Sequence, residues 1–335
     1  MSDIKPTSSD DDTTEEITYM DSSSSSEEDE TINKTNIIKY FFDIKPLSHY
    51  LFANVSNYDF KTWQDYFKIS DDIKLRSLIF NKDWDEFFDE IENKQYYKNI
   101  EDKLFKKKND KILPYPELLF NSFNIMSPKD IKVIFIGQDP YIDIKDFNGK
   151  KIPQAMGFSF SVPLNYPIPP SLINIYHNLL KFKHIQKFPT SGCLAGWIMQ
   201  GAFMINSSLT TIYKESNAHK LLWKDFSNDL INYLNTKLNK IVFVVWGKDA
   251  HYLCLNVDPN KHFIITSSHP SSYAFKNNVS GYTYGKVKNL KDRKQIIYPS
   301  FESVDHFGQI NNYLESVNKN KIFWDVLDYE KIFKL

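Results

Sequence analysis

Four short apolar runs punctuate the chain, and each ends in small or polar residues. The first is Ile131, Val133, Ile134, Phe135 and Ile136, interrupted only by Lys132 and stopped by Gly137, Gln138, Asp139, Pro140 and Tyr141. The second, 201–205, runs into Asn206, Ser207 and Ser208; the third, 241–246, into Gly247, Lys248 and Asp249; the fourth, 262–266, into Ser267, Ser268, His269, Pro270 and Ser271. A nearly continuous run of this length, rich in β-branched residues, reads as a strand buried on both faces, as in a parallel sheet. Ligands of open α/β sheets bind beyond the carboxyl ends of the strands. If the four strands are parallel, one rim carries a carboxylate (Asp139), an amide (Asn206) and an imidazole (His269). An Asp before Pro also favours a plain turn, so 131–142 alone leaves both readings open. The other three tips favour a site.

Helical spacing appears between the runs. Residues 83–91 read as a helix start, 115–126 as a helix before the first strand, and 171–182 as a second helix with Leu172, Ile175, Tyr176 and Leu179 in register. The clearest helix is predicted over 219–238, where Leu222, Phe226 and Leu230 form a core stripe. Helices alternating with buried strands give an α/β class: a central, mostly parallel four-stranded sheet flanked by helices. Residues 106–111, KKKNDK, read as a basic loop. Residues 276–305, rich in Lys, Asn, Ser and Tyr, read as an inserted loop or hairpin.

Three regions follow. Residues 1–36, with DDDTTEE and SSSSSEEDE, are too polar and too uniformly charged to bury a core and read as a disordered acidic tail. It suits either simple solvation or mimicry of DNA charge, and its serines suit an acidophilic kinase. Residues 37–80, dense in aromatics from Phe41 and Phe42 to Trp63, Tyr66 and Phe67, read as short helices docked on the main domain, 81–335. The net charge of −1 over 335 residues hides an asymmetry: residues 1–30 hold eleven Asp/Glu and one Lys, a net of −10, which leaves +9 elsewhere. A basic body suits a polyanion, most commonly nucleic acid, although solubility alone also explains it. The runs are too short for a transmembrane helix, and the N-terminus is neither a signal nor a transit peptide. No membrane partner is expected, and a nuclear or cytoplasmic location is, or a viral replication site if the source is viral. Cys193 and Cys254, the only cysteines, sit in apolar surroundings and read as buried hydrophobes, and no Cys/His spacing suggests a metal. Two Arg against 39 Lys suggest an AT-rich genome.

The tips carry a resemblance. GQDPYI (137–142) is similar to the GQDPYH water-activating motif of family-1 uracil-DNA glycosylases. AMGFSFSV (155–162), PPSLINIY (169–176), LAGWIMQGAFMINSSLT (194–210), VFVVWG (242–247) and HPSS (269–272) resemble that family's other motifs in its order, from about Trp84 to Leu327. The resemblance implies a three-layer sandwich and a monomer without cofactor that hydrolyses uracil from single- and double-stranded DNA to start base-excision repair. It implies Asp139 as the water-positioning carboxylate and His269 as hydrogen-bond donor to O2 of the departing uracil anion. Asn206 would pair with uracil O4 and N3–H. Phe160 would stack on the base, with Phe158 its competitor. Tyr141 would exclude the thymine methyl, and Gln138 would give main-chain contacts. Pro169, Pro170, Ser171, Gly247, Lys248 and Ser271 would hold phosphates, and Tyr273 would occupy the place of the family's wedging leucine. Departures are Ile142 for the motif's last His, about eight extra residues within 143–153, Lys248 for a small serine, and Tyr273 itself. The alternative is a DNA-binding accessory or processivity subunit built on the same fold, with 37–80 and 276–305 as surfaces for replication or repair proteins.

Overall fold

In the computed structural model, residues 61–69, 72–147 and 149–325 are described. The acidic tail, the stretch 37–60 and the last residues of IFWDVL lie outside them. The elements run α1 (Trp63–Ile69), α2 (Asp85–Ile91), α3 (Gln95–Lys106), β1 (Ile112–Leu113), α4 (Asn121–Ile125) and β2 (Val133–Gly137). A hairpin follows, β3 (Ile144–Phe147) and β4 (Lys150–Pro153), then α5 (Pro170–Lys181), α6 (Ala195–Ile198), β5 (Ala202–Asn206) and β6 (Thr211–Ile212). The chain continues through α7 (Lys224–Lys237), β7 (Val242–Trp246), α8 (Gly247–Cys254), β8 (Phe263–Ser267), a second hairpin β9 (Val279–Tyr282) and β10 (Gln295–Tyr298), and α9 (His306–Ser316).

The four apolar runs are β2, β5, β7 and β8, and all their pairings are parallel, in the order β5-β2-β7-β8. The chain leaves β2 to one side and returns to the other, so the switch point lies between β2 and β7, where such sheets bind ligands. The register keeps the tips level: Gly137 stands opposite Asn206, and Trp246 opposite Ser267. Alternation along the strands buries both faces. Phe203 on β5 stacks on Trp84 at 5.4 Å and meets Phe123, in the layer that holds α2 and α7. Phe135 on β2 points the other way, against Trp197, Phe307 and Trp324. These buried rings are the main source of stability, since each removes on the order of 150–250 Å² from water. The result is the expected three-layer α/β architecture.

Several local expectations change. The helix expected over 115–126 is a 3-10 turn, Pro116–Leu118, followed by α4. There Asn121 Nδ2 donates to Met156 O at 2.7 Å and Ser122 Oγ donates to Met204 O, so the break serves to tie this segment to the sheet. The helix expected over 219–238 starts only at Lys224, because the preceding residues form turns in which His219 Nδ1 bonds Thr210 Oγ1 at 2.8 Å. Residues 155–162 lie in bends and irregular backbone, where Phe160 sits at φ +63°. Residues 276–305 contain the hairpin β9–β10, and the extra residues after Ile142 form β3–β4. Within 61–80, Trp63 Nε1 donates to Pro114 O at 2.9 Å, and Phe67 meets Phe105 of α3 edge-on at 5.5 Å.

Candidate active site

Beyond β2 the chain turns into a loop held from two sides. The Gln138 carbonyl accepts Ser207 Oγ at 2.8 Å and the Ser208 N–H at 3.0 Å, which fixes this loop to the tip of β5. Asp139 Oδ2 accepts the Ser216 hydroxyl at 2.9 Å and the Asn217 N–H at 2.6 Å. Gln138 Nε2 donates to Asn217 Oδ1 at 2.8 Å. Asn217 itself is left-handed, φ +61°. Ser216 and Asn217 were not among the residues the sequence singled out. The available signal was a polar stretch, KESNAH, between Ile212 and the next helix.

Asn206 closes β5 beside Gly137. A Cβ on Gly137 would lie 2.2 Å from Asn206 Oδ1, so only glycine leaves room for this carboxamide. His269 follows β8, and its Nδ1 accepts the Ser271 N–H at 3.0 Å. That bond occupies the Nδ1 lone pair, so the ring hydrogen of the neutral imidazole sits on Nε2. Burial pushes the His269 pKa down to about 4, against a weaker opposing influence from Asp249. The ring therefore stays neutral at pH 7 and still donates through Nε2. Phe160 lies 6.0 Å from the His269 ring and 5.5 Å from Trp246. Tyr141 donates its hydroxyl to the Phe160 carbonyl at 3.2 Å, and burial raises its pKa well above that of a free phenol.

These side chains face one cleft of about 280 Å³, lined by Gln138, Asp139, Tyr141, Ile142, Phe158, Phe160, Ser171, Asn206, Ser216, His269 and Ser271 among others. Phe158 and Phe160, competitors in the sequence, both line it. Pro169, Pro170, Gly247, Lys248 and Tyr273 stand outside the lining. Pro169 caps α5 and Pro170 is its first residue. Asn174 of α5 donates to Pro270 O at 2.8 Å, joining that helix to the His269 loop. Gly247, at φ +84°, begins α8; a Cβ there would come within 2.9 Å of the His269 Cβ. Lys248 is exposed, and the Tyr273 side chain is 95 % exposed. Among the described residues, no group of three His, Cys, Asp or Glu is placed to share a metal ion.

A sequence profile of the Uracil DNA glycosylase superfamily matches residues 123–295. A probable uracil-DNA glycosylase of Acanthamoeba polyphaga mimivirus is 48 % identical over 282 residues, covering 84 % of this chain and 74 % of that protein. The chain belongs to the uracil-DNA glycosylase superfamily. The uracil-DNA glycosylase of Borreliella burgdorferi is 37 % identical over 243 residues, 71 % of this chain and 95 % of its own length. The crystal structure of the mimivirus uracil-DNA glycosylase superposes with a TM-score of 0.78 over 84 % of this chain and 99 % of that one. A variant of the mimivirus enzyme, solved in complex with UGI, gives 0.77 over 83 % and 100 %. The superfamily match takes in the whole lining of the cleft and the β3–β4 hairpin.

Proposed function

We propose that the protein hydrolyses the bond between uracil N1 and deoxyribose C1′ in DNA, leaving an abasic sugar and initiating base-excision repair. The observation that carries this reading is the convergence of a hydrogen-bonded carboxylate, a carboxamide and a neutral imidazole on one cleft beyond a parallel sheet. Relatives that align over most of the chain carry the name uracil-DNA glycosylase. A base within a duplex is out of reach, so it is first extruded into the pocket. Asn206 offers an N–H to uracil O4 and a carbonyl to N3–H. Cytosine presents the reverse pattern and would leave both groups unpaired, a strong basis for rejection. Phe160 supplies the stacking face, and Tyr141 stands guard at C5.

As the C1′–N1 bond breaks, the electron pair leaves with uracil, and charge spreads to O2. His269 meets it with Nε2–H, a neutral donor already aligned by Ser271. The sugar becomes cationic, and Asp139 stabilises it by charge and orients the water whose oxygen bonds to C1′. The proton lost by that water passes to the carboxylate or to solvent. Pro169, Pro170, Ser171, Gly247, Lys248 and Ser271 would hold the flanking phosphates, in keeping with the +9 body.

The test is incubation with a uracil-containing oligonucleotide followed by alkaline strand cleavage, for wild type and Asp139→Asn. Cleavage by wild type alone is expected. A purely DNA-binding accessory role would leave the cleft's polar side chains without a task; in that case neither protein would cleave, and both would bind.

A further inference from the structure

At the far end of the sheet from the base pocket lies a larger cleft, of about 650 Å³. Lys132 directly precedes β2 and Gly201 directly precedes β5, so this cleft rests on the amino ends of those strands. Its charged lining is Lys129, Lys132, Lys319 and Lys321, against one carboxylate, Asp130. Lys129 pairs with Asp83 at 3.1 Å and Lys321 with Glu315 at 3.0 Å. Lys132 and Lys319 instead direct their ammonium groups to main-chain carbonyls, of Asn320 at 3.2 Å and Asn239 at 3.5 Å. Burial lowers the pKa of both, and like charge adds to it: Lys319 acts on Lys132, and Lys240 on Lys319, with Asp130 a smaller opposing influence on Lys132. Two half-buried ammonium groups with no carboxylate in contact among the described residues make a site for an anion.

The lining says which kind. Ile125, Met126 and Met199 give it an apolar part, and it contains no aromatic ring. A nucleobase would find nothing to stack on. An extended acidic peptide with scattered apolar side chains would find both of its complements. The chain carries a segment of that composition: residues 10–30 contain ten Asp/Glu, no Lys or Arg, and Ile17, Tyr19 and Met20.

We propose that this cleft holds the protein's own residues 10–30, and so keeps the acidic segment off the DNA-binding rim. Reach is sufficient. From residue 30 to residue 61 the chain spans up to about 100 Å when extended, and roughly 30 Å as a coil. A domain of this size is on the order of 50 Å across. Tethering gives the segment an effective concentration of about a millimolar, so even weak ionic contacts hold it. Docked there, a segment of charge −10 does not compete with DNA phosphates at the opposite end of the sheet.

Zero-length carbodiimide crosslinking of the full chain, read by peptide mapping, tests this directly. Bonds from the acids of 10–30 to Lys132 and Lys319 within one molecule are expected in low salt, and their loss in 1 M NaCl, where the Debye length falls to about 3 Å. In a Lys132→Gln/Lys319→Gln variant with unchanged melting temperature, crosslinks from 10–30 to the neighbouring Lys129, Lys240 and Lys321 should fall at least fivefold. The freed segment should then weaken binding of an undamaged duplex at least threefold in low salt. Crosslinks that land on Lys248 or Lys276, that join two molecules, or that never rise above background would each overturn the proposal. So would a variant that binds duplex as wild type does.

Discussion

The main-chain N–H of Asn217 donates to the Asp139 carboxylate at 2.6 Å, on the same oxygen that accepts the Ser216 hydroxyl. One carboxylate oxygen is thus anchored by the loop after β6, and the other makes no hydrogen bond among the described residues. If Asp139 positions the water as proposed, this anchoring sets the direction in which it does so. Asp139→Asn keeps the shape and loses the charge. A fall in kcat of roughly 10²–10⁴ is expected, the range for one positioned acid–base group, with uracil-DNA affinity retained. Ser216→Ala removes two exposed bonds, the one to Asp139 and the one its hydroxyl accepts from Asn217 Nδ2, and leaves the Asn217 N–H to Asp139 in place, so its loss should stay below about tenfold, as for modest exposed hydrogen bonds. Steady-state kinetics on a uracil oligonucleotide measure both. Full activity in Asp139→Asn would remove this residue from the mechanism.

Gly137 sets the position of Asn206. A methyl on Gly137 would stand 2.2 Å from Asn206 Oδ1 and 2.7 Å from the Ser159 Cβ, so the carboxamide must swing away. A displacement of about 1 Å in a positioned group costs on the order of 10² in rate. Gly137→Ala should therefore lower kcat/KM about a hundredfold. If the loss runs through Asn206, the double variant Gly137→Ala/Asn206→Ala should be no worse than Asn206→Ala alone. Additive losses would assign the damage to Ser159 and the packing behind it.

These two relationships differ in how far the sequence disclosed them. Asp139, Asn206 and His269 could be placed on one rim because four nearly continuous apolar runs, broken only by Lys132, read as strands buried on both faces, and parallel strands bring their carboxyl ends to one edge. Ser216 and Asn217 lie in a stretch with no periodicity at all. Their task comes from a tertiary contact between the loop after β6 and the loop after β2, and polar residues in a turn carry no mark of such a partner. The same holds for the start of α7. Helical spacing reaches back to Leu222, yet the Thr210–His219 bond holds the chain in turns until Lys224. Phe160 was legible as an aromatic in a resembling motif, but its left-handed backbone was not, because nothing in the residue type favours it.

Buried histidines give the protein an acid sensitivity. Burial pushes His219, His251 and His269 down to about 4 and His306 down to about 3. An unfolded histidine titrates near 6.5. Between that value and 4 the unfolded chain takes up protons that the folded chain refuses, so stability is complete above pH 6.5 and falls as the pH drops towards 4. A fully buried imidazole such as His306 contributes about 1.4 kcal/mol for each pH unit in that window. Thermal unfolding should show a lower Tm at pH 4.5 than at pH 7. Catalysis should behave differently, since His269 stays neutral throughout the assay range. A plot of kcat/KM from pH 5.5 to 8 should show no break near 6.5 from this residue. Direct NMR titration of His269 with a midpoint near 6.5 would contradict the burial argument and the donor role built on it.

Tyr273 follows the HPSS stretch at the tip of β8, and its ring stands almost wholly in solvent at 95 % exposure. It does not pack against Phe275 or Tyr282: Phe275 lies against the core, and Tyr282 has Tyr252 as its aromatic neighbour. An aromatic ring held in water this way gains by entering a stack. Extruding a base leaves such a gap and costs a few kcal/mol, and base–aromatic stacking returns roughly 1–3 kcal/mol. As a wedge, Tyr273→Ala should lower kcat/KM on duplex uracil by about tenfold to a hundredfold, the equivalent of that stacking energy. Single-stranded uracil leaves no gap in a helix and should be cleaved nearly as before. Tyr273→Leu should recover part of the duplex activity, by filling the gap without a π-face. Because the ring touches little in the free protein, the melting temperature should not change in either variant. Equal losses on both substrates at unchanged melting temperature would mean that Tyr273 acts on the pocket rather than on the helix.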